Sequence, residues 1–389
     1  MRVYIYTLRY NTVSGGGSHH SLEIFIRALI TQGHIPILTT FSSDDNNYAQ
    51  KPCEMREENF SGGFLALQRH IAKMMSENAD ADIHHLYGPT VMWAGGIYKQ
   101  RGGTAPVVAS INNYAPGMGF TSPPPFSGNI LTRLFGRARH RIHTIKWYLW
   151  QKLIGIPLMR SVDLLFFDSP TIKECFERFG YRARSSIVLP APIERVTNKE
   201  APTPFGNDTK SFRVIFAGRL IADKGPDLIV KAALQLPNAI HIHIIGRGNE
   251  EERLKDFIRD NGLTERVFLH GWKSREELLG FYKNAHVFVH PSRWPDPFSR
   301  VVADALGCGL PIISTENTAP AWVAGDAGMT FPKEDIAGLV KCILFFFNNP
   351  NERNAYAKRA VERVRVFDAD VVSRQFVENL ESLANKKSA

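Results

Sequence analysis

The amino-acid sequence predicts an α/β protein made of two Rossmann-like, doubly wound domains that face each other across a cleft. Short apolar runs rich in β-branched and aromatic residues alternate with amphipathic stretches of helix length. This pattern is typical of parallel sheets covered by helices. The alternation stops at residues 196–210 and then starts again. Because such folds bind ligands at the carboxyl ends of their strands, we expect the function to lie there.

The individual elements follow from these runs. Strands are predicted near residues 3–7, 35–39, 83–86, 107–111, 164–167 and 187–189, and after the interruption near 213–217, 240–245, 267–269, 287–289 and 312–314. Helices are predicted near residues 18–32, 62–77, 171–179, 226–235, 249–260, 274–283, 298–307, 334–347 and 368–386. Two capping boxes, Thr171 with Glu174 and Ser274 with Glu277, mark helix starts.

The domain boundaries depend on one polar stretch. Residues 196–210 contain two prolines and a glycine, which predicts a linker between an N-terminal domain, 1–195, and a C-terminal domain, 211–367. The sequence leaves the destination of the last stretch, 368–389, open, and completion of the N-terminal domain is one alternative. The four cysteines are far apart and form no Cys-x-x-Cys, so neither a disulfide framework nor a zinc site is expected. A reducing cytoplasm is the simplest setting.

Several side chains follow predicted strands. Arg219 and Lys224 flank a strand-to-helix turn and could converge on a diphosphate, although two solvated loop charges fit the same spacing. Asp296 and Asp304 are eight residues apart. Carboxylates accept hydrogen bonds from sugar or ribose hydroxyls, but a helix cap and a surface residue are the plainer interpretation. Trp272 follows another strand and could either stack on a flat base or pack against the domain.

The basic residues are concentrated in one segment. Residues 83–162 contain no Asp or Glu but contain nine Lys and Arg, which equals the net charge of +9 for the whole chain. Such a local excess indicates an anionic partner. In residues 129–160, aliphatic residues recur at helical spacing beside basic and aromatic ones, namely Arg137, Arg139, Arg141, Trp147 and Trp150. An anionic membrane surface suits this pattern, and an ordinary core helix is the alternative. No nucleic-acid recognition motif accompanies the charge, and no apolar run is long enough for a transmembrane helix.

The ordered motifs of the second half resemble a known family. They are Gly-Arg-Leu-x-x-x-Lys-Gly at 218–225, Gly-x-Gly at 246–248, Val-Phe-Leu-x-Gly at 267–271, His-Pro-Ser at 290–292, and Asp-Pro-Phe-Ser through Cys-Gly-Leu-Pro at 296–311. Together they resemble the retaining nucleotide-sugar glycosyltransferases of the GT-B fold, called family four or glycosyltransferase group 1. The resemblance implies transfer of a hexose-type sugar from a nucleotide diphosphate-sugar to a glycan or lipid-linked acceptor in polysaccharide or glycoconjugate biosynthesis.

By position, the resemblance implies that Arg219 and Lys224 hold the donor diphosphate. Gly16, in the Gly15–Gly17 run, would let backbone N–H groups meet the same phosphates. Because the two cations take the place of a metal ion, the resemblance implies no divalent metal, and no cofactor is expected. A cytoplasmic enzyme, peripheral at the inner face of the membrane, is the localisation that we expect.

The resemblance also implies roles around the base and the sugars. Gly271, Trp272 and Lys273 would border the base, Asp304 would bind the ribose hydroxyls, and Asp296 would face the transferred sugar. The chain departs from the family where both motif Glu positions are Asp, Ser299 replaces Gly, and Asn112-Asn113 stand where many relatives carry His. One alternative is a GT-B nucleotide-sugar epimerase or phosphorylase. The other is a catalytically lapsed GT-B binding protein, which these departures support.

Overall fold

The computed structural model describes residues 1–12, 17–115, 144–194 and 211–388. The chain divides into two compact units. The first comprises Met1–Ala191 together with Val372–Ala389, and the second comprises Pro192–Val371. The linker predicted at 196–210 lies outside the described residues.

The first unit is built on a seven-stranded parallel sheet with the order β3-β2-β1-β4-β5-β6-β7. Its strands are β1 Arg2–Thr7, β2 Ile35–Thr40, β3 Glu54–Glu57, β4 Ile83–Tyr87, β5 Val107–Ile111, β6 Leu164–Phe167 and β7 Ser185–Val188. Its helices are Gly17–Thr31, Phe64–Glu77, Trp93–Gln100, residues 144–150 continuing through the π-helix Gln151–Gly155 into Ile156–Met159, and Pro170–Phe179. The strand order reverses between β1 and β4, so this sheet is doubly wound.

The second unit repeats the plan with six parallel strands in the order β10-β9-β8-β11-β12-β13. Its strands are β8 Phe212–Ala217, β9 Ile240–Ile245, β10 Val267–Leu269, β11 Val287–His290, β12 Ile312–Thr315 and β13 Gly328–Phe331. Its helices are Pro226–Ala233, Glu251–Asp260, Arg275–Lys283, Arg300–Gly307, Ala319–Ala324, Ile336–Asn348 and Pro350–Arg363. The predicted α/β class with two Rossmann-like sheets is confirmed.

The C-terminal helix, Ala369–Ser388, returns to the first unit. Its apolar side chains join the core formed by β1 and the first helix, and Phe376 stacks on Phe25 with ring centroids 4.3 Å apart. Val372 and Leu380 are fully buried in the same cluster. Burial of several large side chains therefore fixes where this helix packs. Within the described ranges, no helix is both long and apolar enough to cross a membrane.

Some local features differ from the predictions, among them the unpredicted helices Trp93–Gln100, Ala319–Ala324 and Pro350–Arg363. The strands Glu54–Glu57 and Gly328–Phe331 were missed because they lie at sheet edges, where polar residues are tolerated and no apolar run forms. The predicted box of Thr171 and Glu174 is wrong, because Ser169 caps that helix. The box of Ser274 and Glu277 is confirmed, with both reciprocal hydrogen bonds present. The helix predicted from 298 begins at Arg300, so Asp304 lies about one turn inside it rather than two.

Candidate functional site

The most chemically distinctive part of the second unit is the point where its strand order reverses. β8 and β11 are neighbours there, and the helices that follow them pack in separate core clusters on opposite faces of the sheet. In open α/β sheets this point opens a crevice at the carboxyl ends of the strands. The chain leaving β8 carries Arg219 and Lys224, and the chain leaving β11 carries Asp296. The topology therefore accounts for why two distant motifs meet.

Glycines let the loops after β8 and β9 pack backbone against backbone. Gly246 has φ +142°, and a Cβ there would lie 1.8 Å from the carbonyl oxygen of Gly218. A Cβ on Gly248 would lie 2.1 Å from the carbonyl oxygen of Leu220. The Leu220 N–H also donates to the carbonyl of Arg247 at 2.8 Å. Only glycine allows this approach, which holds Arg219 and Arg247 on adjacent loops.

Lys224 and Asp296 form an ion pair between the two motifs. The Lys224 ammonium donates to Oδ1 of Asp296. The other carboxylate oxygen, Oδ2, is buried without a hydrogen-bond partner among the described residues, and it lies 3.8 Å from Nε2 of His290. Burial lowers the pKa of His290 to about 4, against the opposing effect of Asp296, so this imidazole is neutral near pH 7. One carboxylate oxygen thus remains available to accept a hydrogen bond from a ligand hydroxyl.

Arg219 and Arg247 supply positive charge that the described residues do not neutralise. Both side chains are exposed, and neither has a hydrogen-bond or ion-pair partner within the described part of the chain. A Cβ on Gly271 would lie 3.8 Å from Nε of Arg247, so this arginine reaches the loop that follows β10. Arg247 was not assigned a role from the sequence. Its position between two glycines at a strand end was the signal that could have identified it.

Asp304 is buried, so its interpretation as a surface residue is wrong. Its Oδ1 accepts from Nη2 of Arg275 at 2.8 Å, and the same nitrogen donates to the carbonyl of Glu194 at 3.2 Å. Arg275 begins the helix capped by Ser274, and nothing in the spacing of the motifs indicates that it pairs with Asp304. The two aspartates therefore have different cationic partners, Lys224 and Arg275.

The loop after β10 carries the residues expected to border a base. Gly271 adopts a left-handed conformation with φ +67°, which glycine favours, and its carbonyl accepts from the Gly246 N–H at 2.8 Å. The side chain of Trp272 is 67% exposed, so it does not pack into its own unit. Lys273 pairs with Glu277 at 3.3 Å. In the described ranges, no group of three His, Cys, Asp or Glu side chains could hold a metal ion.

The candidates of the first unit are only partly described. Gly16, Arg137, Arg139 and Arg141 lie outside the described residues. Trp147 and Trp150 are half-buried and pack against other aromatic side chains. Their rings contact Phe64 at centroid distances of 4.6 and 5.4 Å, and Trp150 also lies 5.1 Å from Trp93. In the described residues 144–159, the exposed large apolar side chains are Ile145, Tyr148, Leu149, Leu153 and Ile154.

Comparison with known proteins gives consistent matches. The family model for glycosyl transferases group 1 matches residues 198–363. The chain is 26% identical over 188 residues to a D-inositol 3-phosphate glycosyltransferase of Xylanimonas cellulosilytica, covering 47% of this chain and 37% of that protein. It is 24% identical over 230 residues to the lipopolysaccharide core biosynthesis glycosyltransferase LpsE of Rhizobium meliloti, covering 57% and 65%. The matches therefore span less than two thirds of these relatives.

Solved structures extend the likeness to both units. The Anabaena protein Alr3699/HepE, solved in complex with UDP, superposes with a TM-score of 0.75 at 17% identity, covering 98% of this chain and 100% of that one. A lipopolysaccharide outer core galactosyltransferase, WaaB, gives a TM-score of 0.71 at 16% identity, covering 98% and 99%. Similarity at these identities establishes the shared fold.

Proposed function

We propose that this chain, whose residues 198–363 match the family model for glycosyl transferases group 1, transfers a sugar from a nucleotide diphosphate-sugar to a glycan or lipid-linked acceptor. The transfer would serve polysaccharide or glycoconjugate biosynthesis. The observation that carries the proposal is the position of Arg219, Lys224 and Asp296 at the strand-order reversal of the second unit. A diphosphate requires cations, and a transferred sugar requires a carboxylate or similar hydrogen-bond acceptor.

In the proposed donor complex, Arg219 supplies a planar fork to the diphosphate and Lys224 supplies a point charge. Both would stabilise the negative charge that grows as the nucleoside diphosphate leaves. Asp296 would face the transferred sugar, because its Oδ2 is buried without a protein partner among the described residues. The backbone N–H groups near Gly16 would approach the same phosphates.

The base and the ribose have separate candidates. Trp272 is exposed and available for stacking on a base, and Gly271 and Lys273 would border it on the same loop. Asp304 would bind ribose hydroxyls while keeping its hydrogen bond from Arg275, since a carboxylate has about four acceptor positions. These assignments extend the resemblance found in the sequence and are part of the proposal.

We also propose that transfer proceeds with retention of anomeric configuration and without a divalent metal. Support comes from the family resemblance and from the two cations at the diphosphate position. Proton NMR of the first product formed tests retention, because the coupling constant of the anomeric proton distinguishes the two configurations. Undiminished turnover in excess EDTA is the expected result for metal independence.

The donor can be identified by heating the chain with a panel of nucleotide sugars. A ligand that binds only the folded state raises the melting temperature by mass action. We expect one base to give the largest shift, and Arg219→Ala and Lys224→Ala to reduce that shift. Incubation of this donor with glycan and lipid-linked acceptors should then give a glycosylated product. Binding without any transfer would instead favour a lapsed binding protein.

A membrane surface is the second partner that we propose, and the exposed apolar side chains of residues 145–154 support it. Ile145, Leu149 and Leu153 lie on one helical face and are 57%, 50% and 73% exposed. Burying the exposed half of such a side chain in lipid would contribute about 1 kcal/mol. This apolar surface lies inside the 83–162 segment, which has basic residues but no acidic ones. Both features suit the interface of an anionic membrane.

Cosedimentation with vesicles tests this surface. Binding to phosphatidylglycerol vesicles should exceed binding to phosphatidylcholine vesicles and should fall as salt is added, because each basic residue near the surface contributes about 1 kcal/mol. Leu149→Ser with Leu153→Ser should weaken binding, as should neutralising Arg137, Arg139 and Arg141. The matched control is Leu234→Ser, an exposed leucine of the second unit. Equal binding to both vesicle types would exclude the proposed surface.

A further inference from the structure

Arg293 joins three segments of the second unit through its guanidinium group. Nη1 and Nη2 donate to the two carboxylate oxygens of Asp227 at 2.6 and 2.9 Å. Nη1 also donates to the carbonyl of Ala222 at 2.8 Å, and Nε and Nη2 donate to Glu334. These bonds account for all five N–H groups of the side chain. Arg293 therefore links these segments and is not a free surface charge.

Backbone contacts also join residues 291–293 to the turn Ala222–Lys224. The N–H of Arg293 donates to the carbonyl of Asp223 at 2.8 Å, and the hydroxyl of Ser292 donates to that carbonyl at 3.1 Å. Gly225 has φ +66°, and a Cβ there would lie 2.1 Å from the carbonyl oxygen of Pro291. The turn Ala222–Lys224 thus lies directly against residues 291–293.

The opposite charges of Arg293 and Asp227 strengthen the hydrogen bonds between them. Burial acts to raise the pKa of Asp227, but hydrogen bonds from Arg293 and Lys231 outweigh it and lower the pKa to about 2. Asp227 is therefore a carboxylate at every pH at which the protein would be used. Bidentate Arg–carboxylate bonds are stronger and more directional than bonds between neutral groups.

We propose that Arg293 is a positioning residue for donor diphosphate binding, acting by holding the turn that carries Lys224. This inference rests on the proposed function, because it needs a diphosphate to bind at Lys224. Lys224 lies between Ala222 and Asp227, which Arg293 binds simultaneously. A lysine on an unanchored turn would lose more conformational freedom on binding, and affinity would fall. Lysine at 293 could not replace the fork, because an ammonium group is a single point donor.

Calorimetric titration of the full chain with UDP, GDP and ADP tests the inference. For the nucleoside diphosphate that binds best, Arg293→Ala should raise Kd roughly tenfold, and Arg293→Lys should recover little of it. Affinity for the corresponding nucleoside should not change. Arg259→Ala is the matched control, since Arg259 is an exposed arginine of the same unit paired with Asp256 and Asp260. It should bind like the native chain.

Measuring the same substitution in a Lys224→Ala chain separates positioning of Lys224 from a general loss of stability. In a Lys224→Ala chain, Arg293→Ala should cause no further loss of diphosphate affinity, because the residue that it positions is gone. An equal loss in both backgrounds, or an unchanged Kd in the native background, overturns the inference. If Arg293→Ala does not fold, Asp227→Asn is tested in the same cycle. Failure of the native chain to bind any of the three nucleotides overturns the proposed function and this inference together, whereas native binding with unaffected variants overturns only the inference.

Discussion

Replacing Lys224 by alanine should destabilise the second unit as well as weaken donor binding. The Lys224 side chain is 17% exposed and that of Asp296 is 7% exposed, so the ion pair is largely withdrawn from water. Removing one partner of a buried pair costs about 3–5 kcal/mol, because the remaining charge has no compensation. The partial exposure of Lys224 favours the lower end, about 3 kcal/mol. Urea unfolding followed by circular dichroism measures this loss.

The structure supplies both a control and a rescue for this prediction. Lys231→Ala removes a comparable lysine, but Asp227 keeps its bonds to Arg293, so we expect a loss of only about 0.5 kcal/mol. Adding Asp296→Asn to Lys224→Ala should recover most of the lost stability, because it removes the uncompensated charge, while donor binding stays weak. The reasoning is refuted if Lys224→Ala is no less stable than Lys231→Ala, or if Asp296→Asn makes the Lys224→Ala protein still less stable.

Three further predictions follow from neighbouring groups. Arg219→Ala should change the free energy of unfolding by less than about 0.5 kcal/mol, because the exposed side chain has no partner in the described residues. The same substitution should lower kcat on the order of 10²-fold. A loss of stability with normal turnover would contradict this prediction. Arg275→Ala should destabilise the unit by leaving Asp304 buried without its cation, and Asp304→Asn should restore stability in that background, as thermal unfolding can show. Burial lowers the pKa of His290 from 6.5 to about 4, so between these pH values the unfolded state binds a proton that the folded state does not. The free energy of unfolding should therefore fall as pH drops from about 6.5 towards 4. Urea titrations at pH 7 and pH 5 should show a flatter pH dependence for His290→Gln, and an unchanged dependence would contradict this prediction.

The sequence predicted the central strands well because their apolar side chains are buried on both faces. Ile83–Tyr87 and Val107–Ile111 are fully buried strands that appear in the sequence as runs dominated by apolar residues. The edge strand Glu54–Glu57 carries three charged residues in four, and nothing in its pattern distinguishes it from a loop. It forms a strand because β2 lies beside it in the folded chain, and this tertiary contact leaves no trace in the local sequence.

In the site, too, local motifs predict individual residues but not the distant residues with which they pair. Arg219, Lys224 and Asp296 could be selected from their motifs, because each follows a strand that the apolar pattern predicts. The partner of Lys224 could not be selected, since Asp296 is 72 residues away and the spacing contains no sign of the pair. Arg293 was missed for the same reason: its carboxylate partner Asp227 is 66 residues away along the chain. Long-range ion pairs are visible only once the sheet topology brings strand ends together.

A crystal structure of the chain with the nucleoside diphosphate that stabilises it most tests the central claim directly. The account predicts that the diphosphate lies at the carboxyl ends of β8 and β11, with its oxygens about 2.7–3.2 Å from the donor nitrogens of Arg219 and Lys224. The nucleoside should extend towards the loop that carries Trp272. A diphosphate bound elsewhere on either unit, with Lys224 still paired only to Asp296, would contradict the account.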